Sequence, residues 1–149
     1  MQAIIFIGIQ GAGKSTFYRE YFLDTHIRIN LDMLKTRHRE KLIFQACLEA
    51  KQKFVIDNTN PTIEDRNKYI IPAKEKGFQI LAYYFNSELS DCKKRNSQRH
   101  GKKVIPLVGI LSTCKKLVLP SYTEGFDGIY SVKTCPDYSF VIEEWNREI

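Results

Sequence analysis

The chain has 149 residues, the length of one domain, and its hydrophobic content of 43% is enough to form a core. Its charged content of 27% is ordinary for a soluble protein, and no apolar run approaches the roughly 18 residues of a membrane-spanning helix. The four cysteines are far apart and form no C-x-x-C pair, and no basic segment precedes the first apolar run. These features exclude a disulfide framework and a signal peptide, so we expect reduced thiols, a cytoplasmic location and no membrane partner.

Strand and helix signals alternate along the chain. The predicted strands are Ala3–Ile7, Ile27–Asn30, Phe54–Ile56 and Gln79–Phe85, with late candidates at Ile129–Val132 and Phe140–Ile142. The predicted helices are Ser15–Leu23, Asp32–Lys51, Thr62–Lys76, Leu89–Arg99 and Pro106–Val118. Continuous apolar strands separated by helices are typical of a parallel sheet that helices cover on both faces.

The helix predicted at Thr62–Lys76 carries clear end signals. Thr62 and Asp65 have the spacing of a capping box, and Gly77 is expected to end the helix. Pro72 lies inside it, where the proline ring is expected to kink the helix.

A glycine-rich motif lies between the first predicted strand and the first predicted helix. It matches G-x-x-x-x-G-K-[ST] in the strand-turn-helix context that this motif requires. The glycines let backbone N–H groups surround phosphate oxygens, and the helix N-terminus adds partial positive charge. Lys14 can reach the β- and γ-phosphates, and the Ser15 hydroxyl can bind Mg²⁺. The sequence therefore predicts a P-loop for ATP and Mg²⁺, with contacts from Gly8, Gln10, Gly11, Ala12, Gly13, Lys14, Ser15 and Thr16.

Two aspartates follow predicted strands. Asp57 ends the third strand, where P-loop proteins place the acid that orients the Mg²⁺ shell, and its alternative role is to cap the turn at residues 58–61. Asp32 follows the second strand and opens a helix. It is either an N-cap or a general base that faces the phosphates at the carboxyl edge of the sheet.

The net charge of +6 is unevenly placed. Residues 90–116 carry eight Lys or Arg residues against one acid, which indicates either a polyanionic ligand or a solvated helix face. Arg95 and Arg99 are four residues apart and share a face of the predicted helix. A mobile basic lid is one way to bring such cations to the transferring phosphate.

Four blocks of this sequence resemble the kinase domain of 5′-hydroxyl polynucleotide kinases, both the phage type and the kinase module of polynucleotide kinase-phosphatases. The blocks occur in the family's order and are Gly8–Phe17, Ile29–Asp32, Val55–Asn60 and Lys94–Arg99, the last followed by Gly101 and Val104-Ile105-Pro106. The later Glu124-Gly125-Phe126 is similar to a stretch of the vertebrate-type module.

The resemblance implies roles for the residues of these blocks. Lys14 and Ser15 would bind phosphates and Mg²⁺, and Asp32 would be the general base that activates the acceptor 5′-OH. Arg95 and Arg99 would be lid arginines, with Arg99 the more important contact to the phosphate during transfer.

One position departs from the family's pattern. Three residues after the general base, the family typically has an arginine that clamps the acceptor's neighbouring phosphate, and this chain has Lys35. Lysine keeps the charge but loses the bidentate geometry of arginine. Arg37 or Arg39 could compensate, so the expected acceptor contacts are Lys35 and Arg37.

The combined prediction is one α/β domain over residues 1–149. It is a P-loop NTPase-type three-layer sandwich with a central parallel sheet, the kinase-type strand order and a helical basic lid at about residues 89–106. The first and third strands should be neighbours, because the acid of the third must reach Mg²⁺ at Ser15.

The predicted function is transfer of the γ-phosphate of ATP to the 5′-OH end of RNA or DNA, as in nucleic acid repair. Nucleic acid 5′-OH ends are the expected partner, and a separate protein with ligase or phosphatase activity is a further candidate. Two alternatives stay open. One is a small-molecule kinase that acts on a sugar acid, a nucleoside or a drug hydroxyl, and the other is a non-catalytic ATP-binding regulatory module.

Overall fold

The computed structural model describes residues 1–99 and 104–145. Within these ranges six strands form one sheet in the order β2-β3-β1-β4-β5-β6. The strands are β1 (Gln2–Ile7), β2 (Ile27–Ile29), β3 (Phe54–Ile56), β4 (Gln79–Phe85), β5 (Gly128–Thr134) and β6 (Phe140–Glu144). The helices are α1 (Lys14–Tyr21), α2 (Leu31–Leu34), α3 (Arg37–Ala50), α4 (Ile63–Glu75), α5 (Leu89–Ser97) and α6 (Leu107–Lys116), with a 3₁₀ turn at Tyr122–Glu124.

The first five strands are parallel, and β6 runs antiparallel to β5 at the edge of the sheet. β1 lies directly beside β3, with Ile4 opposite Val55, so the predicted strand neighbours and the α/β nucleotide-binding fold are confirmed. The antiparallel edge strand is an addition, because a short hairpin after β5 brings β6 back along its neighbour.

Alternation along β1 builds the two faces of the sheet. Ile5 and Ile7 join the core cluster that contains the buried side chains of α3 and α4, whereas Ile4 and Phe6 join the cluster of α1, α5 and α6. All four side chains are fully buried. Burial of each contributes roughly 1.5–3 kcal/mol, so the apolar strand holds helices on both faces and forms the middle of three layers.

The helix predicted from Asp32 to Lys51 is two helices, α2 and α3. Lys35 lies between them with a φ of 76°, which is outside the helical region. The Thr36 hydroxyl then accepts a hydrogen bond from the Arg39 N–H at 3.2 Å and caps α3. A capping threonine satisfies a backbone N–H group that the first turn of a helix leaves without a partner. A second helix therefore begins after Thr36, and α2 does not continue through Lys35.

The strands predicted at Phe54–Ile56 and Gln79–Phe85 have the observed bounds, and the other predicted elements differ from the observed ones by at most two residues at either end. The capping box of α4 is present between Thr62 and Asp65, and Gly77 follows the helix with a φ of 82°. α4 continues through Pro72 to Glu75. Within residues 1–99 and 104–145 no helix combines the length and the apolar character that crossing a membrane requires.

A fully buried arginine joins three segments that are distant in sequence. Arg66 Nη1 donates to both carboxylate oxygens of Glu124, at 3.1 and 2.9 Å, and the rest of the guanidinium donates to the carbonyls of Asn60, Pro61 and Val118. Replacing a buried charge partner of this kind typically costs about 3–5 kcal/mol. Arg66 therefore fixes the turn that follows β3 against the chain that follows α6.

Candidate active site

The P-loop spans residues 8–13 between β1 and α1. Gly11 and Gly13 adopt φ angles of 80° and 98°, which side chains other than glycine rarely adopt. A Cβ added at Gly11 would lie 2.4 Å from the carbonyl oxygen of Cys92 in α5, so α5 packs directly on the loop. Gly13 is the N-cap of α1 and offers no side-chain cap. The first N–H groups of α1 are therefore available to an anion.

Three of the predicted ATP contacts use their polar groups inside the protein. The Gly8 N–H donates to the Thr59 carbonyl at 3.0 Å, and the Ala12 N–H donates to the Ile9 carbonyl at 3.3 Å. The Gln10 amide donates to the Thr113 hydroxyl of α6 at 3.0 Å. These groups hold the shape of the loop, which leaves the α1 terminus, Lys14 and Thr16 as the groups best placed to meet phosphates.

Lys14 lies across the P-loop. Its Nζ donates to the Gly8 carbonyl at 3.0 Å and to the Ile9 carbonyl at 2.7 Å. Burial lowers the pKa of Lys14 to about 8, which the Asp57 carboxylate opposes and the Arg99 guanidinium reinforces. An anionic ligand would favour the charged form of this amine.

Ser15 and Asp57 meet at the end of β3. The Ser15 hydroxyl donates to Asp57 Oδ2 at 3.4 Å, and Asp57 is 2% exposed. The Asp57 carboxylate also forms an ion pair with Arg28 of β2, at 2.7 Å from Nε to Oδ2. The following turn is held by the Asn60 amide, which donates to the Phe6 carbonyl at 2.8 Å. Hydroxyl and carboxylate oxygens are the ligands that Mg²⁺ prefers, so this pair fits the ion predicted from the sequence.

Asp32 lies in the first turn of α2 and is exposed. The N-cap of this helix is Asn30, whose side-chain oxygen accepts from the Met33 N–H at 2.9 Å, so the N-cap interpretation of Asp32 is wrong. The Asn30 amide also donates to the Asp57 carbonyl at 2.5 Å, which ties α2 to the end of β3. Asp32 follows β2 at the carboxyl edge of the parallel strands, the same edge at which the P-loop follows β1.

The predicted acceptor residues begin at the break between α2 and α3. Lys35 is exposed at the break itself. Arg37 is held by the buried Glu40, with Nη1 3.0 Å from Oε1, and Arg39 donates to the Leu34 carbonyl at 3.2 Å. The Glu40 carboxylate is fixed in turn by the Tyr69 hydroxyl at 2.8 Å. Both arginines therefore have local partners, and an acceptor phosphate would have to compete with these partners to bind either arginine.

The two predicted lid arginines face the P-loop together. Arg95 Nη1 donates to the Gly11 carbonyl at 2.7 Å, and Arg99 lies beside Arg95 in the wall of a cavity of about 190 Å³. The Asn96 side chain exchanges two hydrogen bonds with the backbone of Ile105, at 2.6 and 2.8 Å. These bonds join α5 to the segment that precedes α6. Gly101, Lys102 and Lys103 of the predicted lid lie outside the described residues.

The sequence interpretation missed two groups of residues at this site. The first is Arg28, which lies between two isoleucines of β2. Neighbouring residues of a strand point to opposite faces of the sheet, and Ile29 packs in the core on the side of α3 and α4, so the alternation indicates that Arg28 points to the α1 side. The second is the hairpin pair Tyr138 and Phe140, which line the same cavity as Thr16, Arg95 and Arg99. No local motif marks that pair, because it meets the P-loop only through the antiparallel return of β6.

Comparisons with known proteins find relatives by sequence and by fold. The AAA domain family matches residues 35–108. A bifunctional polynucleotide phosphatase/kinase of Schizosaccharomyces pombe is 30% identical over 97% of this chain and 36% of its own length. A protein of Acanthamoeba polyphaga mimivirus, named for the same two activities, is 32% identical over 98% of this chain and 37% of its own length. The chain thus spans little more than a third of these relatives.

Solved structures share the fold at low identity. Chaetomium thermophilum Kti12 has a TM-score of 0.66 at 14% identity, with 91% of this chain and 92% of that chain covered. A gluconokinase of Sinorhizobium meliloti has a TM-score of 0.61 at 17% identity, with 89% of this chain and 82% of that chain covered. The chain therefore has an α/β P-loop NTPase fold and is similar, over nearly its whole length, to part of the bifunctional polynucleotide phosphatase/kinases, as its four sequence blocks predict.

Proposed function

We propose that this protein transfers the γ-phosphate of ATP to the 5′-OH end of RNA or DNA. The observation that carries the proposal is the contact of Arg95 with the Gly11 carbonyl of the P-loop, with Arg99 in the wall of the same cavity. Lys14 follows β1 and Asp32 follows β2 at the same edge of the parallel sheet. Phosphoryl transfer needs cations around the phosphate and a base near the acceptor, and these residues supply both. The polynucleotide acceptor comes from the relatives, which are named for that substrate.

The P-loop side of the cavity is the proposed ATP site. Gly11, Gly13 and Thr16 line it together with the two lid arginines. Tyr138 and Phe140 also line it, and aromatic rings beside the P-loop suit the base of a nucleotide. We therefore assign the phosphates to the α1 terminus and Lys14, and the nucleoside to the aromatic end.

Ser15 and Asp57 are the residues that would hold Mg²⁺. When bound, the ion would neutralise charge on the β- and γ-phosphates. The contact between the Ser15 hydroxyl and Asp57 Oδ2 at 3.4 Å supports this assignment, because it brings a hydroxyl and a carboxylate oxygen together beside the P-loop.

Asp32 is the proposed general base. Its carboxylate takes the proton of the acceptor 5′-OH while the acceptor oxygen bonds to the γ-phosphorus, and the bond from that phosphorus to the β-γ bridging oxygen breaks to release ADP. Exposure of Asp32 suits a group that must meet an incoming hydroxyl, and the Asn30 cap positions it. Arg95 and Arg99 would act on the charge of the transferring phosphate, and Lys35 with Arg37 would hold the acceptor.

The proposed setting is nucleic acid repair in the cytoplasm by one kinase domain over residues 1–149, with the lid at about residues 89–106. A protein with ligase or phosphatase activity that acts on the same ends is a further proposed partner.

One observation favours a small-molecule acceptor instead. Arg37 and Arg39 are both engaged by local partners, so Lys35 is left to contact an acceptor phosphate, and lysine lacks the fork of arginine. A weak clamp of this kind would suit a small hydroxyl compound better than a nucleic acid end.

Radiolabelled ATP and a panel of acceptors separate the two functions. The panel contains 5′-OH oligonucleotides of RNA and DNA, free nucleosides and sugar acids, with the Lys14→Ala variant as the control for contaminating kinases. We expect oligonucleotides to be labelled better than nucleosides, because contacts to remote phosphates help to position the reacting hydroxyl. Labelling of a small hydroxyl compound with no labelling of any oligonucleotide would reject the polynucleotide function.

A further inference from the structure

Arg28 is a charged side chain at the site that the proposed reaction does not use. It comes from β2, and its side chain is 25% exposed. The guanidinium contacts both residues of the proposed metal site: Nε donates to Asp57 Oδ2 at 2.7 Å, and Nη2 donates to the Ser15 hydroxyl at 2.9 Å. One side chain thus bridges the two oxygen atoms.

These contacts engage the lone pairs that a metal ion would need. Ser15 Oγ accepts from Arg28 and donates its own hydrogen to Asp57, and Asp57 Oδ2 accepts from both residues. The bond from Arg28 occupies one of the two lone pairs of Ser15 Oγ, so a divalent cation bound at Ser15 would share that oxygen with the guanidinium. Two cations held at one pair of oxygen atoms also repel each other.

The aromatic ring of Tyr18 also lies close to the Arg28 side chain. The Arg28 guanidinium lies 6.0 Å from the centre of the Tyr18 ring, and the Tyr18 hydroxyl donates to the His26 carbonyl at 2.6 Å, which fixes the ring. An arginine that leaves Ser15 can therefore stay over this ring and keep a cation beside the buried Asp57.

We propose that Arg28 is a positioning residue that holds Ser15 and Asp57 together as an internal cation, and that the divalent ion bound with ATP displaces it from Ser15. This inference rests on the proposed function, in which Ser15 and Asp57 hold the ion. The arginine stabilises the buried carboxylate when no ion is bound and sets the concentration of divalent ion at which the nucleotide complex forms.

The test measures binding of Mn²⁺, a paramagnetic substitute for Mg²⁺, in the presence of a non-hydrolysable ATP analogue, and the melting temperature in EDTA. Arg28→Met removes the charge at similar length, and Arg28→Lys keeps the charge but cannot bridge two oxygens. Lys41→Met removes a charge from the exposed surface of α3 and is the matched control. The net strength of a charge-assisted hydrogen bond corresponds to a change in affinity of about tenfold or more. We therefore expect Arg28→Met, which lacks the bond to Ser15, to bind Mn²⁺ more tightly by that factor.

We expect Arg28→Met to melt at a lower temperature than wild type in EDTA and to bind Mn²⁺ more tightly, with Arg28→Lys between the two and Lys41→Met unchanged. Weaker or unchanged Mn²⁺ binding in both Arg28 variants would overturn the inference. Asp57→Asn separates this failure from failure of the proposed function. If Asp57→Asn binds Mn²⁺ as wild type does, the metal site itself is wrongly assigned and both proposals fall. If Asp57→Asn loses Mn²⁺ and Arg28→Met does not bind it more tightly, only the Arg28 inference falls.

Discussion

Replacement of Gly11 by alanine tests the contact between the P-loop and α5. The new Cβ would lie 2.4 Å from the Cys92 carbonyl oxygen and 3.1 Å from its carbon, and both are backbone atoms of a helix that cannot rotate away. The φ of 80° adds about 1–2 kcal/mol of backbone strain, and overpacking typically adds about 1–3 kcal/mol. The sum is roughly 3 kcal/mol, which should lower the melting temperature of a chain of this length by about 6–12 °C.

Gly77→Ala is the matched control for this substitution. Gly77 has a φ of 82°, nearly that of Gly11, and nothing lies within 4 Å of its added Cβ. The Gly77→Ala variant should therefore lose about 1–2 kcal/mol of folding stability through backbone strain alone and should bind ATP normally. Thermal unfolding followed by circular dichroism, together with ATP titration, measures both variants. Equal destabilisation of the two, with ATP binding retained in Gly11→Ala, would refute the close packing of α5 on the loop.

Three further predictions concern the proposed chemistry. Asp32→Asn should keep ATP binding and lose about 10²–10⁴-fold in transfer rate, and normal transfer in a steady-state assay would remove Asp32 as the base. Arg99→Ala should lower kcat far more than it raises the KM for ATP, whereas small and equal effects would indicate a solvated helix. Because burial lowers the Lys14 pKa to about 8, ATP affinity measured by titration calorimetry should fall above about pH 8 as the amine loses its proton, by up to about tenfold per pH unit. The same fall in Lys14→Arg, whose guanidinium stays charged, would assign it to another group.

The sequence was sufficient for the features that local chemistry dictates. The P-loop motif requires an acid near Ser15, and this requirement alone predicts the pairing of β1 with β3. The capping box at Thr62 follows from spacing, because the two side chains satisfy each other's N–H groups.

Features that depend on competition between equivalent residues were harder to predict. Asn30 and Asp32 are both good N-cap residues two positions apart, and only the hydrogen bond from Asn30 to the Asp57 carbonyl decides which one caps α2. The break at Lys35 was equally hard to predict, because a threonine such as Thr36 can lie inside a helix or cap a new one, and its position in the sequence does not decide between the two. Strand alternation indicates the face of the sheet on which Arg28 lies, but its contacts with Ser15 and Asp57 depend on how three separate segments meet, and apolar periodicity does not give that information.

The buried Arg66 has a consequence for cooperativity. Its guanidinium joins the turn that follows Asp57 to Glu124, which lies just before β5. If either segment detaches, the charge that stays behind is buried without its partner, which typically costs about 3–5 kcal/mol. Opening of the turn after Asp57 is therefore coupled through one side chain to opening of the segment around Glu124.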